Sequence, residues 1–217
     1  MQGLVYPEWL DRMECRLVLS RNCRNTKEIA LTSTRPIGVD EGKIKMRREI
    51  NDANALKPNF FFASNKAELK EYLQKLISKY ISAGLSKKDI VVLSMKPEGR
   101  SNIQDDDFRL SGTCSLTKEQ TESGILFTTV RKFKGLEAMA IICIDIDQST
   151  FSNSKERNVF YVGTSRAMAY LDLITLDTQE GLAAGISGND TTLKRPQAIK
   201  VIRDTLKVKI ASARELE

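Results

Sequence analysis

The sequence predicts an α/β domain with a mostly parallel central sheet covered on both faces. Three observations carry this. Short runs of consecutive apolar residues recur, including Phe60-Phe61-Phe62-Ala63, Ile90-Val91-Val92-Leu93 and Ala140-Ile141-Ile142-Cys143-Ile144. Strands with one face in water would alternate apolar and polar residues; these do not. Stretches of helical spacing separate the runs, as expected when helices cross over between parallel strands. At 217 residues and 41% hydrophobic composition, the chain is also long enough to bury a sizeable core.

The elements follow in order. Phe60-Phe61-Phe62-Ala63 reads as a short buried strand. Asn65 stands where a helix cap belongs, and Glu68 three residues on completes a capping-box-like pair. Leu69, Leu73, Leu76, Ile77 and Tyr80 then share one helical face, and Gly84 is the stop. A second strand covers residues 90–93. Residues 96–120 hold Pro97, Gly99, Gly112 and the acidic run Asp105-Asp106-Asp107, and read as a solvated surface loop. Residues 125–130 and 140–144 are the next two strands, residues 155–167 a helix, and residues 170–176 a fifth strand. Residues 179–190, rich in Gly and small side chains, read as a second loop. Ile199, Ile202 and Leu206 form one helical stripe and Lys200, Arg203 and Lys207 another, which suits a docked helix with a basic outer face. The expected organisation is one domain over residues 1–178, then a loop and a basic amphipathic helix over residues 179–217.

Composition narrows the chemistry. The chain has no histidine, which excludes Ser-His-Asp and Cys-His catalysis and histidine-ligated metals. Carboxylates, Lys, Arg and backbone groups remain. Cys15, Cys23, Cys114 and Cys143 are widely spaced and form no C-x-x-C pair, so a reduced, cytoplasmic setting is expected. No apolar run reaches the roughly 18 residues that span a bilayer. Met1-Gln2-Gly3-Leu4 does not begin a secretion signal, and no membrane partner is expected. A net charge of +6 modestly favours a polyanionic partner.

Three stretches carry more specific information. One is Thr129-Val130-Arg131-Lys132-Phe133-Lys134-Gly135-Leu136-Glu137. The second is Tyr161-Val162-Gly163-Thr164-Ser165-Arg166-Ala167. The third, earlier in the chain, is Leu19-Ser20-Arg21-Asn22-Cys23-Arg24-Asn25-Thr26-Lys27-Glu28-Ile29. They resemble motifs V, VI and IV of the superfamily 1 helicases, in particular the UvrD/Rep family, and they occur in that family's order. The resemblance spans Leu19 to Ala167; residues 50–123 carry no signature. It implies a RecA-like three-layer domain, the C-terminal of two motor domains that share an ATP site. The other half of that site carries the phosphate-binding pattern G-x-x-x-x-G-K-[ST]. The nearest stretch here, Gly38-Val39-Asp40-Glu41-Gly42-Lys43-Ile44, is one residue short between its glycines and ends without a hydroxyl. ATP and Mg²⁺ are therefore expected to be held mainly by an N-terminal RecA-like domain, and this chain alone to be inactive. Single-stranded or partly duplex DNA is the other expected partner. About a hundred residues separate motifs IV and V, most of them needed by the core, so a large inserted domain is not expected.

By this resemblance, Arg24 and Arg166 are the catalytic residues, reaching toward the γ-phosphate. A guanidinium there stabilises the charge that spreads during phosphoryl transfer and is worth roughly 10³–10⁵ in rate in related hydrolases. Gly135 and Glu137 complete the ATP-binding set, Glu137 near the ribose. Thr129, Arg131 and Lys132 are the candidate contacts to nucleic-acid phosphates. The plainer readings are ion-paired surface arginines, a turn glycine followed by a helix-start carboxylate, and a solvated basic turn. Two residues depart from the family. Arg131 stands where histidine is frequent, and Cys23 where tyrosine usually stacks on the adenine. Asp145 and Asp147 read as strand-end carboxylates, and no metal site is assigned. At the level of function, the alternatives to a helicase motor domain are a non-motor nucleic-acid-binding or regulatory module and a helicase-like part of a nuclease complex.

Overall fold

The computed structural model describes residues 22, 24–46, 57–110, 115–188 and 193–216. Cys15, Cys23, Cys114, Gly112 and the first residues of motif IV lie outside them. Among the described residues seven strands form one sheet: β1 (Asn59–Phe62), β2 (Ile90–Ser94), β3 (Leu116–Thr117), β4 (Ile125–Thr129), β5 (Ala138–Ile146), β6 (Ala167–Thr175) and β7 (Lys209–Ile210). Their order is β3-β4-β2-β5-β6-β1-β7, and every pairing is parallel.

The apolar runs explain this sheet. In β5, Ile141 and Cys143 point into one core and Ala140, Ile142 and Ile144 into the other. Both faces are buried, so the side-chain alternation of a strand leaves no polar face. Helix α2 (Lys66–Ser82) covers one face through Leu69, Leu73, Leu76 and Ile77. Asn65 caps it, accepting from the Glu68 amide at 3.0 Å. The other face is covered by α1 (Lys27–Thr34), α3 (Ser154–Thr164), α4 (Gln179–Ser187) and α5 (Arg195–Leu206), through Ile29, Phe160, Leu182 and Ile202. This is the three-layer α/β arrangement that the apolar runs predict.

Three local expectations are corrected. Residues 179–187 are helical, not a loop. Thr178 caps α4 by accepting from the Gly181 amide at 3.0 Å, and Leu182 and Ala183 are buried. The small residues serve close packing: a Cβ on Gly185 would lie 2.5 Å from the Gln148 carbonyl oxygen. Motif VI does not sit wholly on a helix either. Helix α3 ends at Thr164, Ser165 caps it, and Ala167 already begins β6. The loop after β2 is also more anchored than a solvated stretch. Ile103 and Leu110 are buried in the core, and Asp107 pairs with Lys66 at 2.5 Å.

Candidate functional site

Strand order decides where the candidate residues fall. β4 and β5 are consecutive in the chain, but β2 lies between them in the sheet. Motif V therefore runs from the carboxyl end of β4 at Thr129 to the amino end of β5 at Ala138. Val130 and Phe133 are buried in the same core that receives α3, so the crossing lies under that helix. Gly163 of motif VI makes the fit possible: a Cβ there would sit 2.7 Å from Val130 Cγ2. Gly135 has φ +93°, a left-handed turn, and no protein atom lies within 4 Å of where a Cβ would stand.

At the amino ends of β5 and β6 the three motifs meet. The Ala138 amide donates to the Arg166 carbonyl at 3.1 Å, joining the end of motif V to motif VI. Asn25 of motif IV donates through Nδ2 to the Ser165 carbonyl at 2.9 Å and also to that of Ala167. Asn22 in turn holds the turn before α1, its Oδ1 accepting from the amides of Arg24 at 2.9 Å and Asn25 at 3.3 Å. Arg24 and Glu137 form an ion pair, Nε to Oε2 2.8 Å, with both side chains a little under half exposed. Arg166 is partly buried, its Nε donating to the Val162 carbonyl at the end of α3 at 3.2 Å. A cation is favourable at a helix carboxyl terminus. Arg24, Glu137 and Arg166 thus share one face, and Glu137 leads into a strand instead of starting a helix.

Thr129, Arg131 and Lys132 lie at the other end of the sheet. Thr129 pairs with Ser94 at the carboxyl ends of β4 and β2, and its Oγ1 accepts from the Lys132 amide at 3.4 Å. Arg131 and Lys132 are exposed. Lys132 Nζ sits 2.6 Å from Glu98 Oε2 and holds the Glu98 carboxyl below the usual range. The tendency of parallel sheets to bind ligands at strand carboxyl ends applies to this group alone; the Arg24, Glu137 and Arg166 face is at the amino ends.

A cavity of about 630 Å³ opens between the carboxyl ends of β2 and β5, beside Lys96, Asn102, Asp145, Asp147, Ser149 and Asp177. None of the candidate residues lines it. Asp145, at φ +62°, is buried and satisfied. It accepts from Ser94 Oγ at 2.5 Å, Ser101 Oγ at 2.6 Å, and the Asn102 amide and Nδ2 at 2.9 and 2.8 Å. Burial raises the Asp147 carboxyl, but donation from Lys96, 2.7 Å away, and from Ser149 outweighs it and holds the group low. Among the described residues, no group of three or more Cys, Asp or Glu side chains is placed to hold a metal ion.

Residues 124–174 match the family model of the UvrD-like helicase C-terminal domain. That stretch is similar to the UvrD-like helicase C-terminal domain. The matched stretch runs from the start of β4 almost to the end of β6 and contains every candidate residue except Arg24. The C-terminal domain of a possible DNA helicase from Lactobacillus plantarum WCFS1 is similar in structure, with 17% sequence identity and a TM-score of 0.52 over 71% of this chain and 88% of that one. At that identity the likeness bears on the fold alone, which is the RecA-like three-layer domain. No curated protein matches the chain. Among the described residues, no helix is long and apolar enough to cross a membrane.

Sequence reasoning missed Asn22, Asn25, Gly163 and Glu98. The two asparagines and the glycine stand inside the motifs, but nothing in their type distinguishes a positioning role. Glu98 lies in the stretch without a signature, 34 residues from Lys132.

Proposed function

We propose that this domain is the C-terminal motor half of an ATP-dependent DNA helicase. One observation supports it above the others: Arg24, Glu137 and Arg166, drawn from three separated motifs, share a single face. Ion pairing to Glu137 leaves Arg24 at the surface, where a nucleotide bound on a facing domain can compete for it. Leu136 and Met139, the large apolar side chains exposed among the described residues, flank Glu137 and give that face apolar surface for the facing domain. ATP and Mg²⁺ would be held mainly by that domain's phosphate-binding loop, a pattern the present sequence does not contain. Arg24 and Arg166 then stabilise charge on the transferring phosphoryl group. Glu137 accepts from a ribose hydroxyl. Thr129, Arg131 and Lys132 hold phosphates of single-stranded DNA at the far end of the sheet. Motif V, running from one end of the sheet to the other, is the covalent link between the two sites.

The reading makes a direct demand on the isolated chain. It should hydrolyse no ATP above buffer, with or without single-stranded DNA, because its sequence lacks the phosphate-binding loop pattern. It should still bind single-stranded DNA weakly, with roughly 0.7 counterions released per phosphate contact. DNA-stimulated turnover by this chain would overturn the half-site assignment, and tight binding indifferent to salt would favour a dedicated nucleic-acid-binding module.

A further inference from the structure

Lys132 is not the only lysine at the carboxyl ends of the strands that meets a carboxylate. Lys118 follows β3, the neighbour of β4, and its Nζ lies 2.6 Å from Asp105 Oδ2. Glu98 and Asp105 belong to one loop, the stretch between β2 and β3. That loop is fixed from beneath by the buried Asp145 carboxylate, which takes Ser101 and Asn102 between the two acids. Ile103 is buried in the core at the same place. The anchor presents one acid on each side, Glu98 to Lys132 and Asp105 to Lys118. The charges of Lys118 and Asp105 also reach Glu98. All four side chains are more than half exposed. Pairs of that kind are weak and yield to competing anions.

We propose that the anchored loop is an acidic mask over a phosphate-binding face formed by Lys132 and Lys118: the backbone phosphates of a single-stranded nucleic acid displace Glu98 and Asp105 from the two lysines. The inference rests on the reading of Lys132 as a nucleic-acid contact and adds Lys118 to it. It gives the loop a physical role. Two fixed carboxylates lower the affinity of the face for isolated anions, while a strand that brings successive phosphates displaces both together. Asp145 stays in place throughout, because its partners are Ser94 of β2 and the loop's own Ser101 and Asn102.

The test measures binding of the 217-residue chain to a fluorescent single-stranded oligonucleotide at several salt concentrations. Glu98→Gln with Asp105→Asn should tighten binding severalfold at low salt with little change in the log–log salt slope, because both lysines already meet phosphates in the wild-type complex. Adding Lys118→Gln to that variant should lower the slope by roughly 0.7, the loss of one phosphate contact. Glu71→Gln with Asp204→Asn makes the same charge change at exposed sites on α2 and α5, and should leave the affinity near wild type. Unchanged affinity in the unmasked variant would overturn the mask, as would an equal gain in the control variant. If Lys132→Gln has no effect in either the masked or the unmasked background, the nucleic-acid reading of Lys132 itself fails. Absence of binding by every variant at low salt would overturn both.

Discussion

Asn25 shows how much the site depends on a residue with no chemistry of its own. Its Nδ2 group serves the Ser165 and Ala167 carbonyls, which flank Arg166, while its neighbour Arg24 reaches Glu137. The spacing of the two arginines is therefore set through one amide group. Asn25→Ala removes the donor from both carbonyls and should cost about 1–3 kcal/mol in urea denaturation, the range for partly buried groups left unpaired. A change within roughly ±0.5 kcal/mol, as at ordinary surface positions, would show that Asn25 does not hold the motifs together. At this scale the sequence was partly legible. Arg24, Glu137 and Arg166 were singled out because motif context gives each a specific role. Asn25 was not, because its acceptors lie 140 and 142 residues away and no local spacing reveals them. The Arg24–Glu137 pair was equally hidden: two residues assigned separately to one ligand are each other's partner.

Between elements, the contact of α3 with the motif V crossover is the tightest constraint near the site. Gly163→Ala gains up to about 1 kcal/mol in helix propensity. The new methyl would meet Val130 Cγ2 at 2.7 Å and Met95 Cε at 3.2 Å. Overpacking of this kind costs about 1–3 kcal/mol, so a net loss of stability is expected. Val130→Ala should be less harmful in the Gly163→Ala background than alone, a coupling that a double-mutant cycle reads directly. Additive effects would mean that the two elements are not in contact. A second element-level prediction concerns β6, where Asp172 is buried and accepts from Asn59 Nδ2 at 2.8 Å and from the Tyr80 hydroxyl. Burial pushes its carboxyl up, outweighing the opposing effect of those donors, and pushes the Tyr80 hydroxyl up as well. A carboxyl raised in the folded state contributes stability that is fully present below its unfolded pKa and is lost as pH rises through the folded value. Wild type should therefore lose stability relative to Asp172→Asn as pH rises from about 4 toward neutrality. A difference independent of pH, or one running the other way, would contradict this. The central strands and α2 were legible as elements because continuous apolar runs and a capped helical stripe leave few alternatives. Helix α4 was not, because Gly181 and Gly185 read as loop residues when the packing they serve cannot be seen.

For the whole molecule, the parallel sheet was legible from apolar patterning, but its strand order was not. That order puts the arginine face at the amino ends and the candidate nucleic-acid face at the carboxyl ends, with motif V passing between them. A sequence gives motif V as one continuous stretch and does not show that its two halves emerge at opposite ends of the sheet. The separation suits a motor domain, since nucleotide and strand can then be bound together without competing for one surface. If the amino-end face supplies transition-state charge to an ATP held by another domain, as proposed, Arg166→Ala in a protein that joins this chain to a domain with a phosphate-binding loop tests it most directly. ATP turnover should fall by orders of magnitude while nucleotide affinity changes far less, because the phosphate loop supplies most of the ground-state binding. Arg166→Lys should rescue poorly, since a point charge on a flexible stem does not reproduce a planar guanidinium. Near-normal turnover in Arg166→Ala, with DNA present and the fold intact by thermal melting, would contradict the assignment of this face to the ATP site.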